Sequence, residues 1–167
     1  MTSTEIAQPA GAADGSGDFD FLTGSWDVRH RRLREWLAGC DEWDEFGSTS
    51  RCWSLFDGAA NVDELRVPER GFTGLSLRLL DRARGEWSIY WANSRTGRLF
   101  PPVTGRFSGG VGTFYGDDAH EGQPVRARFL WSGITPESAR WEQAFSADGE
   151  QTWETNWIMD LTRRPGG

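Results

Sequence analysis

Between residues 25 and 162 the chain alternates apolar and polar side chains in short runs, and turns centred on Gly or Asp separate these runs at near-regular intervals. The clearest run is Glu86–Trp91, where Trp87, Ile89 and Trp91 fall on one side and Ser88 and Tyr90 on the other. The same period of two groups Val125, Ala127, Phe129 and Trp131, then Trp141, Gln143 and Phe145, then Trp153, Thr155, Trp157, Met159 and Leu161. Such alternation marks strands with one buried face. Further runs lie at Ser25–Arg34, Trp43–Trp53, Asn61–Val67, Phe72–Leu80, Val103–Phe107 and Val111–Tyr115. About ten strands at hairpin spacing, with almost no helix, predict an all-β fold: an antiparallel up-and-down barrel. A length of 167 residues suits one domain. It is expected at 17–164, after a small-residue polar arm at 1–16 with little to bury and no expected order.

The stretch DFDFLTGSWDVRHRRLR, Asp18 to Arg34, opens this succession. Phe19, Phe21 and Leu22 form an apolar knot, expected as a short helical plug, and Gly24 turns the chain into a strand. On that strand Trp26, Val28 and His30 share one face, with Asp27, Arg29 and Arg31 on the other. Gly24-Ser25-Trp26 resembles the Gly-x-Trp signature that begins the first strand of lipocalins and other calycins. The longer string FDFLTGSWDVRHRRL resembles a calycin-like family described only as a domain of unknown function. The resemblance covers the first fifth of the chain; the remaining strands fit by pattern. It implies a barrel closed at one end by Trp26, with an Arg near the last strand, Arg163 or Arg164, stacked on that indole.

Two segments are less settled. Leu33, Trp36 and Leu37 recur at helical spacing, so 32–38 reads either as a helix or as a strand end leading to a hairpin loop at Gly39-Cys40-Asp41. The strand is favoured because another follows at once. Asn93–Pro102 is the longest structureless stretch, suited to a rim or lid. Asp117–Gly122 reads as a polar turn without the ligand spacing of a calcium loop.

Composition excludes several functions. A net charge of −7 argues against nucleic acid as a partner. All 18 basic residues are Arg, so lysine Schiff-base chemistry is ruled out. Cys40 and Cys52 with two His do not make a zinc pattern, and no metal is expected. No P-loop, Gly-x-Ser-x-Gly elbow, dinucleotide fingerprint or HExxH helix appears, so no cofactor is expected. No apolar leader or membrane-length run is seen, and the expected location is the cytoplasm with no membrane partner. The oligomeric state is left open, a homodimer being one of the options.

Candidate site residues are the polar groups that alternation places among apolar ones, since burying them requires a partner or a ligand. His30 leads, sharing parity with Trp26 and Val28; it is either an acid/base group or a structural histidine. If Trp43 and Trp53 face inward, so do Glu45 and Arg51. Arg51 would then fork onto a ligand anion or pair with Glu45. Leu65 and Val67 suggest that Asn61 and Asp63 also point inward. Phe72–Leu80 carries Leu75, Leu77 and Leu79 on one side and Ser76 and Arg78 on the other. Gln143 and Thr155 stand between indoles. Ten Trp exceed what a core of this size needs, so Trp87, Trp91, Trp141 and Trp157 are expected to include several cavity-lining side chains.

The leading expectation is a protein that binds a small, largely apolar or aromatic molecule in a Trp-lined barrel. The alternative is a cofactor-independent isomerase, cyclase or dehydratase using His30 as acid/base and Arg51 or Gln143 to stabilise negative charge. A haem carrier with His30 as axial ligand ranks third.

Overall fold

The structure, a computed structural model, describes residues 14–166. The expected disordered arm falls outside the described residues over 1–13. Asp14 and Ser16 accept hydrogen bonds from Arg82.

Ten antiparallel strands close into a barrel: β1 (Gly24–Leu33), β2 (Trp43–Leu55), β3 (Ala60–Val67), β4 (Phe72–Asp81), β5 (Glu86–Asn93), β6 (Val103–Ser108), β7 (Val111–His120), β8 (Gln123–Ser132), β9 (Ser138–Ser146) and β10 (Glu154–Arg163). Each strand pairs with its sequence neighbours and β1 also pairs with β10, so the sheet closes on itself. Leu33 ends the first strand and residues 34–38 form bends, not the alternative helix. The polar turn expected at Asp117–Gly122 is mostly strand, because β7 runs on to His120. Among the described residues no helix is long and apolar enough to cross a membrane.

Seating of Trp26 fixes which parity faces inward. The indole is fully buried and its N–H donates to the Leu22 carbonyl at 2.8 Å. That contact ties β1 to the 3-10 turn Asp20–Leu22 lying before it. Phe19, at the start of this turn, meets the rings of Trp87 and Phe107 edge-on at 4.9 Å each and stacks near Phe114 at 5.6 Å. These rings fill the barrel at the Trp26 end. Aromatic pairs in such offset and T-shaped geometries stabilise beyond their area burial.

Register then carries the parity around the barrel, because paired residues share a face. Trp26 lies opposite Ser50, Val28 opposite Ser48 and His30 opposite Phe46. On β2 the inward residues are therefore Phe46, Ser48, Ser50 and Cys52. The expected inward set of Glu45 and Arg51 is out of phase by one residue. Trp53 is 43 % exposed, with the Arg51 guanidinium 5.1 Å above its ring, so this indole lies on the outside. β10 carries a second correction. A β-bulge between Thr155 and Trp157 turns Thr155 away from the interior and places Asn156, fully buried, inside instead. Trp153 is also outside, beneath Arg128 at 4.7 Å.

Arg163 locks the two ends of the chain together. Its guanidinium sits 4.2 Å from the Trp26 ring and donates to the carbonyls of Phe21 and Thr23 at 2.6 Å and of Pro136 at 2.8 Å. Two charge-assisted bonds, to Phe21 and Thr23, plus the cation–π contact hold the Asp20–Leu22 turn against β10, and the third ties in the β8–β9 connection at Pro136. An Arg163→Ala variant is expected to lose about 2–3 kcal/mol of unfolding free energy, the group being part-exposed. Arg163→Lys should recover less than half of this, because an ammonium cannot fork between the carbonyls. Urea titration followed by circular dichroism measures both; an unchanged midpoint in Arg163→Ala contradicts the assignment.

Candidate functional site

The barrel interior encloses a cavity of about 80 Å³. One wall comes from β8, β9 and β10 and is aromatic: Phe129, Trp131, Trp141 and Trp157, with Met159 beside them. Trp26 and Leu22 form the floor, and Trp91 on β5 stands half-buried at the far side. Gly74 on β4 makes room for this last ring, since a Cβ there would lie 1.9 Å from the Trp91 indole. The facing wall, from β2, β3 and β4, is polar: Ser50, Cys52, Asp63, Ser76 and Arg78. Cys52, Asp63 and Ser76 lie in one cross-strand row, and Asn61 and Arg78 in an adjacent inward row.

Arg78 and Asp63 form a buried ion pair. Arg78 Nη1 donates to Asp63 Oδ2 at 2.6 Å and to Asn61 Oδ1 at 3.0 Å. The guanidinium also lies 5.3 Å from the Phe19 ring and 5.8 Å from that of Trp131. With Arg78 only 4 % exposed, removing Asp63 would leave a desolvated cation, a change that typically costs several kcal/mol. Nearby, burial pushes the Cys52 thiol up to about 12, so it stands protonated. Gln143 Nε2 donates to Asn156 Oδ1 at 2.9 Å, which joins β9 to the bulge of β10.

His30 is inside the barrel, 1 % exposed, but behind the cavity wall and not on it. The Trp157 indole N–H, a donor only, donates to His30 Nδ1 at 3.0 Å. That fixes the proton on Nε2, which donates to Ser48 Oγ at 2.7 Å. The imidazole stacks on Phe46 at 4.4 Å. Burial first, and the Arg32 charge second, hold its pKa down to about 4, so the ring is neutral at pH 7. Arg32 also covers Trp157, with its guanidinium 4.7 Å from that ring and 4.7 Å from Trp36. His30 is thus a positioning residue: it orients the indole that lines the cavity.

The expected candidates separate clearly. Asn61, Asp63 and Gln143 are buried inside, and Trp91, Trp141 and Trp157 line the cavity. Trp87 is buried against Phe19, away from the cavity lining. Glu45, Arg51 and Thr155 face outward, for the register and bulge reasons given above. Arg78, Ser76, Ser50 and Cys52 were not among the candidates. Arg78 was hidden because Leu75, Leu77 and Leu79, the apolar side of β4, point outward; Leu75 is 42 % exposed. An inward Asp63 whose own strand offers only the outward Arg66 was the signal that could have found it.

Among the described residues no group of His, Cys, Asp and Glu is placed to hold a metal ion. No family model matches the chain, and no curated protein matches it.

The depressed His30 pKa has a signed consequence for stability. Unfolding releases the ring to an ordinary value near 6.5, so below that pH the unfolded chain binds a proton that the folded one refuses. The His30 contribution is fully present above about pH 6.5 and is lost as the pH falls toward 4, by roughly 3 kcal/mol in all. In His30→Gln, whose amide can accept from Trp157 and donate to Ser48, this part of the pH dependence should vanish. Denaturation midpoints of both proteins between pH 4 and 7.5 measure it; parallel curves contradict it.

Proposed function

We propose that this protein binds a small, largely apolar organic molecule inside a calycin-like barrel. The observation that carries the reading is the cavity itself, with indoles on one side and hydrogen-bonding groups on the other. A core serving only stability would place apolar groups there, since each buried polar group must find a partner. An apolar cavity of about 150 Å³ holds one benzene, so at about 80 Å³ this space is roughly half of what a ring needs. A ring-sized ligand requires one wall to give way. Trp91 is suited to this, because it is half-buried and lies beside the weakest seam of the barrel. β5 and β6 pair only from Trp87–Ile89 to Val103–Gly105. Beyond that seam the 94–102 loop covers β5, with Phe100 N donating to the Trp91 carbonyl at 2.8 Å.

Binding is preferred over acid/base catalysis through His30, because both ring nitrogens are engaged by Trp157 and Ser48 and neither faces the cavity. Haem does not fit these residues: the cavity is far smaller than the macrocycle, and no His30 nitrogen is free to ligate iron.

Toluene is a suitable test ligand. It should raise the melting temperature of the protein saturably, as a ligand of the folded state must. Ser50→Leu, which fills the cavity from β2, should fold with equal or higher stability and lose the toluene effect by at least about tenfold in affinity. No saturable response in the natural protein, or an equal response in Ser50→Leu, contradicts the proposal.

A further inference from the structure

We propose that the polar wall selects an uncharged ligand through a hydroxyl group that donates to Asp63 and accepts from Arg78. This inference rests on the binding reading above and narrows it to a chemical class: compact alcohols and phenols.

Charge balance is the first reason. Asp63 and Arg78 are the charged residues lining the cavity, and they form an ion pair with each other. A carboxylate ligand would bring a net negative charge into a desolvated space, and an ammonium a net positive one. Each is costly unless a counter-charge is waiting, and here the counter-charges are already spent on one another. A neutral ligand avoids that cost.

Unused hydrogen-bonding capacity is the second reason. A guanidinium has five N–H donors. The two bonds that Arg78 donates both leave from Nη1, and Nε is buried with no partner among the described residues. Nη2 makes no hydrogen bond among the described residues. Asp63 accepts through Oδ2, so Oδ1 keeps acceptor capacity. Unused donors and an unused acceptor side by side suit a group that both receives and gives one hydrogen bond. A hydroxyl does this from a single atom. The Cys52 thiol and the Ser76 hydroxyl, in the same cross-strand row as Asp63, complete the polar surface. On the opposite side Trp141 and Trp157, their rings set at 83° to each other, receive the apolar body.

The test compares toluene, phenol and benzoate, which share a ring and differ in the group offered to the polar wall. Binding is measured by calorimetric titration at pH 7, where phenol is neutral and benzoate ionised. The expected order is phenol tighter than toluene by about tenfold, the worth of one good hydrogen bond to a charged group. Benzoate should be weaker than phenol. In the Asp63→Asn/Arg78→Gln double variant, which keeps neutral polar groups of similar size, the ratio of phenol to toluene affinity should fall to about twofold or less. Toluene and phenol binding equally to the natural protein, or benzoate binding most tightly, overturns the inference while leaving the binding reading intact. Failure of all three to bind overturns both. The ranking in the natural protein decides the matter even if the double variant is unstable.

Discussion

Everything inside this barrel depends on how Trp26 is seated. The indole N–H bonds the Leu22 carbonyl, the ring lies under Arg163, and β1 leaves that point with one parity facing inward. A strand has a side-chain period of two, so this choice passes through every hydrogen-bonded neighbour around the closed sheet. A slip of one residue at β1 would exchange His30 for Arg29 and expose the whole interior set. The Arg163 strap, reaching from β10 to the Phe21 and Thr23 carbonyls just before β1, makes that slip expensive.

The interior that results is two-sided. Strands β8–β10 contribute large aromatic rings, whereas β2–β4 contribute small or polar groups, with an ion pair at their centre. Such a division is poor design for a dry core but suits a space that holds a molecule with an apolar body and one polar point. His30 belongs to the scaffolding of this space. It stays neutral, orients Trp157 through Nδ1, and is itself fixed by Ser48 and Phe46.

Period-two alternation made the barrel legible from the sequence, including the strand count and the inward phase of β3, β5, β8 and β9. The site was legible in part, and the failures have physical causes. Trp43 and Trp53 suggested the wrong face of β2, because a Trp can lie flat on an outer sheet surface when an Arg such as Arg51 covers it. The bulge at Asn156 breaks the period within β10, and nothing in the local residues announces it. On β4 the apolar residues are the outer ones, so Arg78 looked like surface. A cross-strand constraint was needed: Asp63 buried on β3 demands a cation on the strand beside it, and Arg78 stands there at 2.6 Å.

The central claim is that small molecules enter the space between the polar and aromatic walls. Indole N–H resonances report it residue by residue, because the chain has ten Trp distributed over the interior and the surface. With assigned signals, adding toluene should shift those of Trp91, Trp141 and Trp157, which line the cavity, and leave Trp53 and Trp153 on the outer face unmoved. Shifts confined to the outer indoles, or no shifts up to the solubility limit of toluene, would contradict the account.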